Sequence, residues 1–150
     1  MRIGIVSDTH GLLREEVLDA LNGCDHILHG GDINRQEILD RLQQITPLYA
    51  VRGNNDKEWA ECLPLFLDLE IDGIRIYMTH KKKDLPEDCS MYDLVICGHT
   101  HKYSENREGR TIYLNPGSCG PRRSDQAVTM ATVDVNGQEI TVHAIGIPHS

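Results

Sequence analysis

Short apolar runs that each stop at a cluster of Asp, Asn or His constrain this sequence most. Ile3 to Val6 leads into Asp8-Thr9-His10, Ile27-Leu28 into Gly31-Asp32, Leu48 to Val51 into Gly53-Asn54-Asn55-Asp56, and Leu94 to Cys97 into Gly98-His99-Thr100-His101; another run ends at His80. Runs of this kind read as strands, and open α/β sheets gather their ligands beyond the C-terminal strand ends. The pattern predicts a single metal centre assembled from several loops.

The spacing between the clusters sets the architecture. Arg2 to Ser7 reads as a buried strand, and Leu12 to Leu21 as a helix with Leu13, Val17, Leu18 and Leu21 on one face. His26 to His29 is a second strand, Arg35 to Gln44 a second helix with Ile38, Leu39 and Leu42 on one side, and Leu48 to Val51 a third strand. This β-α-β-α-β alternation implies parallel strands joined by right-handed crossovers. Beyond it the pattern turns to hairpins. Phe66 to Ile71 and Ile74 to Thr79 flank Asp72-Gly73, and Val128 to Val135 and Glu139 to Ala144 flank Asn136-Gly137, both dipeptides suited to type I′ turns. Asp93 to Cys97 and Arg110 to Leu114 add strands between the hairpins. The predicted class is α/β, with two packed mixed sheets flanked by helices in one domain over residues 1–150.

A formal charge of −8, from 15 basic and 23 acidic residues, argues against a general nucleic-acid or membrane-surface binder, because such proteins need a basic face. The apolar runs are too short to cross a membrane, and the opening Met1-Arg2-Ile3 enters a strand pattern without the apolar core of a signal peptide. A cytoplasmic location is the expectation. Five cysteines, Cys24, Cys62, Cys89, Cys97 and Cys119, contain no C-x-x-C pair and do not form a disulfide framework. Cys97 reads as a buried small hydrophobe; Cys119, between Ser118 and Gly120, is open to an exposed position near a site, but an ordinary structural role is the reading preferred for all five.

Seven residues offer metal donors at the strand ends: Asp8, His10, Asp32, Asn54, His80, His99 and His101. Mixed carboxylate and imidazole donors suit borderline divalent ions better than magnesium or calcium, which prefer all-oxygen shells. Seven groups are too many for one ion. With one carboxylate bridging, they supply four bonds to each of two ions, and two divalent cations against two carboxylates leave a centre of about +2 that would attract a phosphate ester and hold a hydroxide. Each fragment alone has an ordinary explanation, since Asp-x-His is commonly a solvated loop and Gly-Asn-Asn-Asp can be only a tight turn. Their conjunction at successive strand ends carries the inference.

The order Asp-x-His, Gly-Asp, Gly-Asn, His, Gly-His-x-His resembles the calcineurin-like metallophosphoesterase superfamily, and within it the small YfcE-type phosphodiesterases. The likeness runs from Arg2 to about Ser118 and includes His29-Gly30-Gly31-Asp32 and Asn115-Pro116-Gly117-Ser118. It implies an αββα sandwich with Asp8, His10, Asp32 and His101 holding one ion, Asp32, Asn54, His80 and His99 the other, and Asp32 as the bridge. The implied ions are two divalent transition metals, manganese first, with nickel, iron, zinc and cobalt as alternatives. The implied reaction is hydrolysis of a small-molecule phosphodiester by a hydroxide between the ions, with Asp32, Asn54 and His99 at the catalytic centre. Many members of the superfamily carry a histidine after Gly-Asn, where this chain has Asn55, so the general acid has no evident owner; Lys81 likewise stands where glycine is usual.

Other readings differ in class or in substrate. The superfamily includes a retromer trafficking subunit that works as a binding platform, so a protein-interaction scaffold is the main alternative. A phosphomonoesterase or nuclease differs only in substrate, with long nucleic acid disfavoured by the net charge. A homodimer is compatible with the sequence. Lys81-Lys82-Lys83 reads as a solvated loop before it reads as a substrate rim. Arg52 is balanced between phosphate contact and an ordinary ion pair. Asp56 is a candidate to orient a neighbouring histidine. His26 and His29 read as structural, Trp59 as packing, and His143 and His149 carry no pattern.

Overall fold

The computed structural model describes residues 1–123 and 126–148, which leaves His149 outside the described residues. Two five-stranded mixed sheets pack face to face. The first runs β10-β9-β1-β2-β3, from β1 (Arg2–Val6), β2 (His26–His29), β3 (Leu48–Ala50), β9 (Thr129–Asn136) and β10 (Glu139–Gly146). The second runs β4-β5-β6-β8-β7, from β4 (Phe66–Ile71), β5 (Ile74–Thr79), β6 (Leu94–Ile96), β7 (Tyr103–Glu108) and β8 (Thr111–Pro116).

Period-two alternation explains the layers. Ile3 and Ile5 of β1 meet Ile74, Ile76 and Met78 of β5 in the core between the sheets, joined by Leu94, Ile96, Ile112 and Leu114. Val6 and Ile27 face the other way, against α1 (Glu15–Leu21) and α2 (Gln36–Gln43), whose Val17, Leu21, Ile38, Leu39 and Leu42 are buried. Trp59 packs partly buried against this same cluster. The outer face of the second sheet is closed by coil and a 3-10 turn (Lys82–Asp84), with Tyr77, Val95, Cys89 and Tyr92 packed together there.

The strands β1, β2 and β3 are parallel, as are β5, β6 and β8. The C-terminal ends of β1, β2, β3, β5 and β6 lead into the loops that carry the expected site residues, and β8 ends beside them at Pro116. Helix α1 starts three residues later than its apolar spacing suggests, because the loop before it is committed elsewhere: His10 N–H donates to Asp32 O and Gly11 N–H to Ile33 O. The Asp72-Gly73 turn has φ of +48° and +86°, as a type I′ turn requires. The last hairpin differs from expectation. Asn136 pairs with Glu139, so the turn residues are Gly137-Gln138, and only Gly137 has positive φ, which excludes type I′ and fits type II′.

Strand β7 was not anticipated. Its sequence, Tyr-Ser-Glu-Asn-Arg-Glu, is almost wholly exposed and has no apolar alternation to reveal it; register with β8 holds it. Its charged side chains suit an edge, where they oppose pairing with other chains.

Candidate metal centre

Five of the seven expected donors have backbones in the left-handed region, which L residues seldom adopt. The φ values are +56° for Asp8, +45° for His10, +56° for Asp32, +75° for His99 and +66° for His101. Such conformations cost of order 1–3 kcal/mol each and persist where the surrounding structure enforces them. Here each turns its side chain out of a strand end toward one point, and the hydrogen bonds that enforce the turns are explicit. Asp8 N–H donates to Gly31 O, and Ser118 Oγ donates to Asp8 O. Asn115 Nδ2 donates to Gly98 O and Thr100 Oγ1, fixing the loop that carries His99 and His101. The ends of β1, β2, β6 and β8 are thereby tied together.

Asp56 is a second organiser. Its Oδ2 accepts from Asp32 N–H at 3.0 Å and Gly53 N–H at 2.8 Å, while its Oδ1 accepts from Ile33 N–H and Asn34 N–H, both at 2.8 Å. It therefore orients the Asp32 backbone rather than a histidine. Gly53 and Gly98 are required by proximity. A Cβ on Gly53 would strike the Asp32 backbone nitrogen and carboxylate, and one on Gly98 the Ser7 hydroxyl and Asp8 carboxylate.

The donors separate into two groups. Asp8, His10 and His101 form one and Asp32, His80 and His99 the other, each with its donor atoms within 4.8 Å of one another. In the first, His101 Nε2 and His10 Nε2 lie 3.4 and 3.6 Å from Asp8 Oδ1 and 3.2 Å from each other. In the second, His80 Nε2 is 3.1 Å from Asp32 Oδ2, and His99 Nδ1 is 3.2 Å from Asn54 Oδ1. Donors bound at about 2.0–2.2 Å to a common ion lie roughly 3–3.6 Å apart, so these spacings fit a shared cation in each group. Asp32 Oδ2 also lies 3.7 Å from His10 Nε2, which puts one oxygen in reach of both groups.

The hydrogen bonding leaves the right atoms uncommitted. Asp8 Oδ2 accepts from Ser7 Oγ at 2.7 Å and His99 N–H at 3.0 Å, whereas its buried Oδ1 has no hydrogen-bond partner among the described residues. His80 Nδ1 lies 2.7 Å from Gly30 O, so it carries the proton, and its buried Nε2 presents a lone pair with no hydrogen-bond donor among the described residues. Orphaned buried groups of this kind are rare without a ligand or water. Burial opposes the charge on Asp8, but His10, His101 and the Ser7 hydroxyl outweigh it and hold the carboxyl well below its usual range. Burial opposes that on Asp32 also, outweighed by His80 and the Asn55 N–H, so it too stays below its usual range. Both carboxylates are ionised at neutral pH, as metal donors must be.

Exposure differs between the groups. Asp8 is fully buried and His101 nearly so, while Asn54 and His99 are exposed, so the second group faces solvent. A cleft of about 540 Å³ opens beside it, lined by Asn54 and His80 together with Arg52, Lys81, Lys83, Leu65 and Phe66. Of the other histidines, buried His29 accepts from Gly31 N–H through Nδ1 and contacts Thr9 Oγ1 through Nε2, and burial lowers its pKa to about 4, so it is a neutral structural group. His26 lies against Tyr49 and His143 pairs with Asp134 at the surface. Cys119 is fully buried, with its thiol pushed up to about 12 by burial, which fits the structural role preferred for it, and all five cysteines are free. Arg52 is tied to the carbonyls of Asp56 and Lys57.

The model of the calcineurin-like phosphoesterase superfamily domain matches residues 1–138, and the chain belongs to that superfamily. It is 29% identical to a probable metallophosphoesterase of Methanothermobacter thermautotrophicus, with 99% of this chain and 95% of that protein aligned. It is 27% identical to the phosphodiesterase YfcE of Escherichia coli, over 89% of this chain and 88% of that one. Among solved structures, wild-type Vps29 of Entamoeba histolytica complexed with zinc shares the fold, with a TM-score of 0.74 at 20% identity and coverage of 97% and 99%.

Proposed function

We infer that this chain is a dinuclear metal-dependent phosphodiesterase acting on a small-molecule diester. The observation that carries the reading is the convergence of Asp8, His10, Asp32, Asn54, His80, His99 and His101 on one point, with Asp8 Oδ1 and His80 Nε2 buried and unpartnered there among the described residues. Divalent ions, manganese first, would supply positive charge for the phosphoryl oxygens and a nucleophile drawn from water at neutral pH.

The protein's own contribution is placement and electrostatics. Asp8, His10 and His101 would hold one ion, and Asp32, Asn54, His80 and His99 the other, with Asp32 Oδ2 in reach of both. Gly30 O fixes the His80 tautomer, and Ser7 and the His99 N–H fix the rotation of Asp8. Asn54 and His99, on the open side, meet the incoming phosphoryl group. Asn55 favours diesters: its backbone N–H donates to Asp32 Oδ1 at 2.8 Å and its side chain lies 3.4 Å from Asp32 Oδ2, so it steadies the bridge and has no titratable proton for a poor leaving group.

The scaffold reading finds less support. A binding platform gains nothing from left-handed backbone at five donor positions or from two buried unpartnered donors. Because a zinc-bound Vps29 shares the fold, metal content alone cannot separate the readings, and turnover must. Asp32→Asn is expected to reduce hydrolysis of bis(p-nitrophenyl) phosphate by roughly 10²-fold or more and to retain at most one ion per chain, because a neutral amide bridges cations poorly. Two retained ions with near-parental turnover would remove Asp32 from the bridging role.

A further inference from the structure

Lys81, Lys83 and Arg52 converge on the cleft beside His80 and Asn54, in a chain whose net charge is −8. Neither lysine has an ion-pair partner among the described residues, although Asp84 also lines the cleft. The same cleft is also lined by two apolar side chains that are unusually open. Leu65 is 67% exposed and Phe66 53%, with the Phe66 ring stacked on Tyr77 at 5.5 Å between centroids and 11° between planes.

The cleft touches only one half of the centre. Asn54 and His80 line it, while Asp8, His10 and His101 do not. A phosphoryl group seated between the two donor groups would therefore send one of its ester arms into this cleft and leave the other toward solvent. An arm entering it meets both an apolar ring surface and cationic side chains. The Tyr77 stack limits Phe66 movement, so the ring is a preformed surface rather than a flexible one.

Resting on the phosphodiesterase reading, we propose that this cleft is a specificity subsite for an ester arm that combines a planar apolar group with a second anionic group, a carboxylate or phosphate. Phe66 and Leu65 receive the ring, and Lys81 and Lys83 the additional negative charge. The tethered Arg52 contributes field more than direct hydrogen bonding, since part of its donor fork is already committed to carbonyls. The substrate class is thus an asymmetric diester with a net charge beyond that of the phosphoryl group being cleaved.

The test uses the manganese-loaded full chain and matched p-nitrophenyl diesters whose second arm is methyl, phenyl or 4-carboxyphenyl. The expected order of kcat/KM is 4-carboxyphenyl above phenyl above methyl, with roughly tenfold separating the first two at low salt, as charge-assisted contacts in a sheltered cleft allow. Raising the ionic strength should shrink that step. Lys81→Ala combined with Lys83→Ala should collapse the carboxyphenyl-to-phenyl ratio, and Phe66→Ala the phenyl-to-methyl ratio. In parallel, calorimetry compares Kd for 4-carboxyphenyl phosphate and phenyl phosphate. Hydrolysis without the order, or an order untouched by these variants, overturns the subsite and leaves the phosphodiesterase reading standing. Absence of hydrolysis with tighter, lysine-dependent binding of the carboxylated ligand overturns the activity and leaves the subsite; equal binding in that case overturns both.

Discussion

At the scale of single residues, Asn55 marks how this centre departs from the histidine-bearing pattern of many superfamily members. Its side chain lies beside Asp32 Oδ2, the oxygen proposed to be shared, where an imidazole would have a proton to give. Asn55→His is therefore expected to raise the ratio of monoester to diester kcat/KM, measured with p-nitrophenyl phosphate and its phenyl diester at equal metal loading. General acid catalysis is worth roughly 10²- to 10⁴-fold when well oriented, so a rise of about tenfold is a modest expectation. An unchanged ratio would assign leaving-group protonation to water or another residue. The sequence made the seven candidate donors that the structure brings together legible, because each follows an apolar run. It singled out Asn115 and Ser118 only as part of a family-like segment and passed over Ser7; that their side chains hold the donor loops depends on contacts between positions up to 110 residues apart. Asp56 was recognised as important but given the wrong partner, since four backbone N–H groups meet it only once the loops after β2 and β3 lie side by side.

At the scale of elements, strands deliver the chemistry and loops are held by shared acceptors. Asp56 joins the loop after β2 to the loop after β3 through bonds to Asp32, Ile33, Asn34 and Gly53. Asp56→Asn replaces acceptor capacity with an N–H₂ group that faces buried donors. It is expected to destabilise the fold by roughly 1.5–3 kcal/mol, read from urea unfolding, and to weaken the ion held partly by Asp32. A variant with parental stability and metal affinity would contradict the bracing role. In the parallel half, β1, β2, β3 and α2 followed apolar periodicity closely. The misses have physical reasons: α1 starts late because His10 and Gly11 bond the β2 loop, β7 has no apolar face to announce it, and the last turn depends on a register that Asn-Gly alone does not determine.

At the scale of the whole molecule, fold and metal centre are separable in energy. The core between the sheets is continuous from β1 to β5 and β6, and none of its members is a metal donor. Burial at about 25 cal/mol per Å² of apolar surface is a stabilisation that needs no ion. Metal-stripped protein should therefore keep its far-ultraviolet circular dichroism spectrum and unfold cooperatively, with a lower midpoint as the Asp8 and Asp32 charges lose their cations; collapse to an unfolded chain on chelation would contradict this. The outward-facing second donor group and the cationic cleft then give an acidic protein one local region suited to anions.

The most direct measurement is a titration of manganese into the stripped protein, following hydrolysis of bis(p-nitrophenyl) phosphate and bound metal in the same samples. Activity should stay near background through the first equivalent, rise through the second and level off at two ions per chain. Full activity at one equivalent, or two tightly bound ions without hydrolysis of the diester, would contradict a dinuclear phosphodiesterase centre bridged by Asp32.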